Sequence, residues 1–192
     1  MNFIVLLFIF IATLQLPLDL DLGWHLRYGE YFFKTGHVLR DNVISYIWPN
    51  YHWVQASWGY DLLTYQLFTH FGFWGLSVAA ALICVAIFWL IVKPIKKRNL
   101  SGLFILAVIY LSHTGPMYVA SLRSQTPSAL MFALMLTLLP FKGETLQGYL
   151  FLPLLFLIWA NIHGGFVLGL ILLWLMWFTQ GFLLRSFSSC RF

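Results

Sequence analysis

The chain has 192 residues, of which 61% are hydrophobic and 9% are charged, and its mean hydropathy is +0.83. An average soluble domain is roughly half apolar and about a quarter charged, whereas here 11 basic and 6 acidic side chains would have to coat a 22.3 kDa globule. The composition therefore excludes a soluble enzyme, a disordered regulator and a secreted disulfide scaffold. It indicates a chain that is solvated mostly by lipid.

Apolar stretches of membrane length recur along the chain, and a spanning helix needs about 20 such residues. Residues 2–18 carry no Lys or Arg ahead of the apolar run, so we interpret them as a retained first span rather than a signal peptide. The sequence predicts an all-α fold, a polytopic bundle of about six transmembrane helices forming a single membrane domain over 1–192. The candidate spans are 2–18, 71–92, 100–114, 124–141, 149–162 and 165–184.

A long polar and aromatic segment, 19–70, separates the first two candidate spans. Residues 22–35 place apolar side chains at helical spacing opposite charged ones, which predicts an interfacial amphipathic helix, and Gly36 suits its C-terminal cap. Residues 58–71 predict a second amphipathic helix that leads into the second span. The tryptophans of this segment are typical of an aromatic belt at the membrane interface.

The basic residues predict the orientation of the chain in the membrane. An N-terminus in the cytoplasm puts seven of the eleven basic residues on the inner side, as the positive-inside rule favours. Five of the six acidic residues then lie outside. The inner basic residues are Lys93, Lys96, Lys97, Arg98, Lys142, Arg185 and Arg191. Because these residues lie in short loops, the net charge of +5 does not indicate a nucleic-acid partner.

With this orientation, several polar residues fall at the outer membrane face. Such residues are costly at membrane depth, so their gathering predicts a polar cavity there; the alternative is that helix ends are wet in any case. The short candidate spans 100–114 and 149–162 support the cavity, since each is followed by a helix-breaking pair. The residues concerned are Asp19, Asp21, His113, Arg123, Gln125, Asn161 and His163.

The order of these features resembles the first outer loop of the GT-C glycosyltransferases, polytopic enzymes that use polyprenyl-phosphate-linked sugars. The resemblance is to the bacterial group of protein mannosyltransferases and aminoarabinose transferases. It rests on Asp21, on Thr35-Gly36 about fifteen residues later, and on three stretches in the same order. These are Asp21-Leu-Gly-Trp-His-Leu, Arg123-Ser-Gln-Thr-Pro-Ser and Trp159-Ala-Asn-Ile-His-Gly-Gly-Phe. Members typically carry seven core helices, so six spans would correspond to the N-terminal part of a longer core.

The resemblance implies a base that deprotonates an acceptor hydroxyl, and Asp21 is the candidate because it lies at the membrane boundary. The alternative role of Asp21 is to cap the helix that follows. Asp19 could assist Asp21, or bind a divalent cation together with it. No other cofactor is expected.

Arg123 is the candidate partner of the phosphate leaving group, since a guanidinium forms paired hydrogen bonds with phosphate oxygens. Alternatively, the Arg123 side chain could extend along the apolar surface and place its charge among the lipid headgroups. The helix break at Gly164-Gly165 could let the side chains of His163 and Asn161 face the same polar cavity as Arg123. Alternatively, both could be ordinary polar groups in the helix packing. The remaining candidates for substrate or phosphate binding are Gln125, His113 and His25.

The sequence thus predicts a glycosyltransferase, or the N-terminal fragment of one, in a bacterial-type inner membrane. Its partners would be a polyprenyl-phosphate-linked sugar and the lipid bilayer, with transfer on the outer face. A non-catalytic membrane protein, such as a transporter or a lipid-phosphate-binding assembly subunit, is the alternative. Transporter sites lie near the bilayer midplane within repeats, neither of which the sequence indicates.

Overall fold

The structure, a computed structural model, describes residues 3–16, 19–41, 46–48, 51–52, 55–93, 99–114, 122–138 and 146–188. Side chains at 109, 111–114, 138, 146–149 and 180–188 lie outside this description. Within these ranges the regular secondary structure is helical, and an isolated antiparallel bridge joins Asp41 to His52. The helices are α1 Phe3–Thr13, α2 Leu22–Thr35, α3 Trp58–Val92, α4 Leu100–Thr114, α5 Gln125–Leu138, α6 Leu146–Ile162 and α7 Phe166–Ser188.

Helix α2 has the bounds that its amphipathic pattern predicts. Gly36 ends it in a left-handed conformation with φ +72°, and its amide donates to the carbonyl of Phe32 at 2.7 Å. This geometry favours glycine because it has no Cβ. On the outward face Glu30 accepts hydrogen bonds from Arg27 and Lys34, at 2.5 Å each. The predicted interfacial helix and its glycine cap are therefore confirmed as helix and cap.

Helix α3 runs through 35 residues but is interrupted at Gly72, where φ is +63° and ψ is −157°. The interruption divides a polar first part, 58–71, from an apolar second part, 73–92, as the sequence predicts for these two helices. Left-handed φ at this joint requires glycine. The first part carries the candidate site, and the second forms the centre of the helix packing.

The packing is built around α3, which contacts α1, α2, α5 and α6. One buried cluster joins the second part of α3 to α1 and α4, and another joins residues from both parts of α3 to α2 and α6. The first contains Val5, Ile9, Phe88, Val92, Leu103 and Ala107. The second contains Leu22, Tyr60, Leu76, Ala80, Leu122 and Ile162. This arrangement holds α2 and the loop before α5 against the start of α3.

The all-helical fold is confirmed, but a bundle of six spans is not shown. In the part of the chain that the structure describes, α3 is the one helix long and apolar enough to cross a membrane. Helix α1, residues Leu150–Ile162 of α6 and residues Phe166–Thr179 of α7 are apolar but shorter than a span. Helix α1 is short because it ends at Thr13, whereas α6 and α7 extend beyond these apolar ranges as helices.

Candidate functional site

A buried ion pair joins the segment before α2 to the segment before α5. Nη2 of Arg123 lies 3.1 Å from Oδ1 of Asp19, whose side chain is 2% exposed. The backbone amide of Asp21 also donates to this oxygen, at 3.2 Å. Two residues 104 positions apart in the chain are thereby brought together. The sequence predicts both residues in one site, and the structure joins Arg123 to Asp19.

A second buried carboxylate, Asp61, lies in the first turn of α3. Nδ1 of His25 is 2.5 Å from its Oδ1, and Nε2 of Gln55 donates to its Oδ2. The Asp61 side chain is 2% exposed and that of His25 is 16% exposed. Burial raises the pKa of the Asp61 carboxyl, and the hydrogen bonds from His25 and Gln55 oppose that rise in part. Asp61 lies in the polar part of α3, ahead of Gly72.

Tyr60 lies between these two acid pairs. Its ring makes an edge contact with the His25 ring at a centroid distance of 4.7 Å, and its hydroxyl donates to the carbonyl of Leu122. Burial is the main cause that raises the Tyr60 pKa, and the carboxylates of Asp19 and Asp61 add to it. Because the Tyr60 ring contacts His25 and its hydroxyl reaches the residue before Arg123, Tyr60 links the two pairs in a single polar cluster.

A narrow cleft opens beside Asp61 and has a volume of about 10 Å³, which is room for one water-sized group such as a hydroxyl. Aromatic and aliphatic side chains form most of its wall, while Asp61 and Gln55 are its acidic and amide groups. The lining residues are Tyr28, Phe32, Val38, Leu39, Gln55, Trp58, Asp61 and Leu62. A hydroxyl group that enters this cleft would meet a buried carboxylate.

Close packing of α2 on α3 brings His25 to Asp61. A Cβ at Gly29 would lie 2.5 Å from the carbonyl oxygen of Asp61 and would also overlap the Cβ of Tyr65. Glycine at this position is therefore required by the short distance between the two helices. The ring of Phe33 stacks on that of Tyr65 at 5.6 Å and extends the same contact.

Asp21 occupies the cap position of α2, but its exposed side chain makes no capping hydrogen bond. Its backbone carbonyl accepts hydrogen bonds from the amides of Trp24 and His25. Gln125, the first residue of α5, is exposed. His113 belongs to the last turn of α4, and its side chain lies outside the described part of the structure. Asp21 therefore reaches the buried acids through its backbone amide, which donates to Asp19, while the described residues show no side-chain contact from Asp21 or Gln125 to either acid.

Asn161 and His163 contact different helices. Oδ1 of Asn161 accepts a hydrogen bond from Nε1 of Trp58 at 2.7 Å, which ties the end of α6 to the start of α3. His163 lies between α6 and α7, where its Nδ1 is 3.3 Å from the hydroxyl of Ser128 and accepts from the amide of Gly165 at 2.9 Å. These contacts favour the packing alternative for both residues.

The Ser128 and His163 pair is not arranged for nucleophilic catalysis. Ser128 is buried and already accepts a hydrogen bond from Nε1 of Trp159 at 2.7 Å. Since the Gly165 amide uses the lone pair of Nδ1, this nitrogen is poorly placed to take the serine proton. Burial lowers the pKa of His163, which keeps the imidazole neutral.

The divalent cation proposed for Asp19 and Asp21 would need further ligands. Among the residues that the structure describes, no group of three or more His, Cys, Asp or Glu side chains could hold a metal ion. Oδ1 of Asp19 is also occupied by Arg123. A cation at this carboxylate would therefore compete with a guanidinium.

The sequence patterns described above do not indicate three residues of this cluster, Asp61, Gln55 and Tyr60. A signal for Asp61 does exist, because it shares the face of the amphipathic helix with Tyr60 and Thr64, both buried. A carboxylate on the apolar face of an amphipathic helix is costly unless it is paired. The partner, His25, lies 36 residues away and no local pattern indicates it.

Comparisons with protein-family models, with curated proteins and with solved structures found no match to this chain.

Proposed function

We propose that the chain is a membrane glycosyltransferase of the GT-C type, or the N-terminal part of one. It would transfer a sugar from a polyprenyl-phosphate donor to an acceptor on the outer face of a bacterial-type inner membrane. The observation that carries the proposal is the polar cluster in which Asp19, Arg123, His25 and Asp61 surround Tyr60. The residues of this polar cluster come from three separate segments of the chain.

Arg123 has the chemistry that a phosphate leaving group needs. Its guanidinium is largely buried and already binds a carboxylate oxygen, which is geometrically similar to a phosphate oxygen. A donor phosphate would compete with Asp19 for Nη2 and release that carboxylate toward the acceptor side. As the bond to the sugar breaks, Arg123 would stabilise the negative charge that develops on the phosphate.

The surfaces of α6 and α7 support the proposed position of the chain in the membrane. Large apolar side chains point outward along both helices, among them Leu154 at 53%, Leu157 at 64%, Trp174 at 58% and Trp177 at 73% exposed. Contiguous apolar surface of this kind is rare on a soluble monomer. The six-span arrangement, with an N-terminus in the cytoplasm, belongs to this proposal.

The first prediction concerns Arg123. In vesicles that contain the full chain and a radiolabelled polyprenyl-phosphate hexose, transfer to an alkyl glycoside should fall about 10²–10³-fold in Arg123→Gln, because one group that stabilises the developing charge is lost. Arg123→Lys should fall between this variant and the unmodified chain, since an ammonium keeps the charge but not the paired geometry.

Asp41→Asn is the matched control, because Asp41 is an exposed outer-loop acid whose side chain is 77% accessible. The measurement is labelled product per unit of inserted protein. A chain that binds the donor but transfers nothing would overturn the proposal in favour of a lipid-phosphate-binding assembly subunit. A chain that neither binds the donor nor transfers the sugar would overturn both the glycosyltransferase and the assembly-subunit alternatives.

A further inference from the structure

Asp61 combines three properties that a general base for a hydroxyl needs. It is buried, it lines a cleft that opens to solvent, and its carboxylate is held by two donors. Asp21, by comparison, has an exposed side chain with no capping hydrogen bond. A base works best when its surroundings exclude water and fix its direction.

His25 and Gln55 fix the carboxylate from opposite oxygens. Nδ1 of His25 meets Oδ1, and the amide of Gln55 donates to Oδ2, so neither oxygen can turn freely. Each carboxylate oxygen has a further lone pair and can still accept a proton. Asp61 and Gln55 both line the cleft, so a hydroxyl group in the cleft lies beside the Asp61 side chain.

We propose that Asp61 is the group that accepts the proton of the attacking hydroxyl, with His25 and Gln55 as its positioning residues. This inference rests on the proposed function, and it names a different carboxylate from Asp21. The ligand of the cleft is accordingly a hydroxyl group of the sugar acceptor, bordered by the aromatic side chains of Tyr28 and Trp58.

The step balances without any further reagent. The acceptor O–H bond breaks and its proton passes to a carboxylate oxygen of Asp61, while the oxygen forms a bond to the anomeric carbon. The bond from that carbon to the phosphate oxygen breaks, and the phosphate leaves with the electron pair beside Arg123. Water then removes the proton from Asp61 and restores the carboxylate.

The groups that face Asp61 come from each element packed around it. His25 and Tyr28 face it from α2, Gln55 from the preceding loop, and Tyr60 is its neighbour on α3. Burial raises the pKa of Asp61, which makes its carboxylate a stronger base than an exposed one. Burial and the Asp61 carboxylate both raise the pKa of Tyr28, so this phenol stays neutral beside it.

The test compares Asp61→Asn, Asp21→Asn and Asp41→Asn in the vesicle assay with the polyprenyl-phosphate hexose and the alkyl glycoside. We expect kcat of Asp61→Asn to fall about 10²–10⁴-fold, which is the usual contribution of a general base, while donor binding stays unchanged. Asp41→Asn should keep full turnover. Loss of turnover in Asp21→Asn alone, with Asp61→Asn active, would overturn the inference and leave the proposed function standing.

Chemical rescue separates a catalytic from a structural role. Formate added to Asp61→Ala supplies an external carboxylate, so turnover should recover with increasing formate if Asp61 is the base. An Asp61→Ala chain that inserts, binds donor and gains nothing from formate would overturn the inference. If the unmodified chain itself shows no transfer, the proposed function fails, which is a result distinct from either of these.

Two substitutions of His25 test positioning. His25→Asn keeps an N–H donor near the position of Nδ1, whereas His25→Leu removes it. The first should retain more kcat than the second at equal KM, and a shifted acid limb of the pH–rate profile should accompany the loss in His25→Leu. Equal kcat values and equal pH profiles would show that His25 does not position the base.

Discussion

At the scale of single residues, two buried carboxylates dominate the electrostatics of the candidate site. Asp19 and Asp61 each have side chains that are 2% exposed, and each is compensated by a partner from a distant segment. Breaking a buried pair by removing one partner costs about 3–5 kcal/mol, whereas an exposed pair is worth about 0–1 kcal/mol. The pairs therefore fix which surfaces meet in the fold.

A double-mutant cycle on Asp19 and Arg123 tests this view. Arg123→Gln should lower the free energy of unfolding by about 3 kcal/mol, because it leaves the buried Asp19 carboxylate without its counter-ion. Adding Asp19→Asn should recover part of that loss, since no charge then remains buried. The measurement is unfolding in mixed detergent micelles, with Asp41→Asn as the exposed control. Strictly additive losses would contradict a direct pair.

At the scale of elements, the docking of α2 on α3 decides whether the site forms. Helix α2 is short and carries charges on its outer face, and a helix of 14 residues is marginal without tertiary packing. Gly29 lets its backbone approach α3 closely enough for His25 to reach Asp61. The site thus depends on one helix-helix contact.

Two glycines of the same helix provide a matched comparison. Gly29→Ala should destabilise the fold by about 1–3 kcal/mol, because the added methyl overlaps the Asp61 carbonyl and Tyr65. Gly23→Ala should be neutral or stabilising by about 0.5–1 kcal/mol, since a Cβ there meets nothing within 4 Å. The stability of both variants is measured by thermal unfolding and by the rate at which a protease cleaves residues 22–35. Equal effects would argue against close docking of α2.

At the scale of the whole molecule, the apolar exterior and the basic loops together define the proposed membrane orientation. Outward apolar side chains on α6 and α7 suit lipid, and the basic residues after α3 suit the cytoplasmic side. The site at the start of α3 would then lie on the outer side. The proposed donor is itself a membrane lipid, so the orientation bears directly on function.

Cysteine labelling tests this orientation. In a chain whose own Cys84 and Cys190 are replaced by Ala, Arg40→Cys should react with a membrane-impermeant maleimide in intact spheroplasts. Lys93→Cys, at the other end of α3, should react only after permeabilisation, because α3 separates the two positions. The opposite pattern would invert the orientation and place the site on the cytoplasmic side.

Local patterns predicted most of the helices but not the site, and the predicted first helix 2–18 ends already at Thr13. The bounds of α2, its Gly36 cap and the helix ahead of Gly72 follow from hydrophobic periodicity and glycine chemistry, which act over a few residues. The number of membrane spans is a property of uninterrupted apolar length, and the described helices do not establish six. Pairing between distant residues has no such local signal.

The sequence by itself determined that the chain is helical, apolar and provided with an amphipathic helix at 22–35, because these features depend on composition and short-range spacing. The tertiary structure alone decided that Arg123 pairs with Asp19 and that His25 meets Asp61. The physical reason is that a buried charge requires a partner, but the identity of the partner depends on which helices pack together.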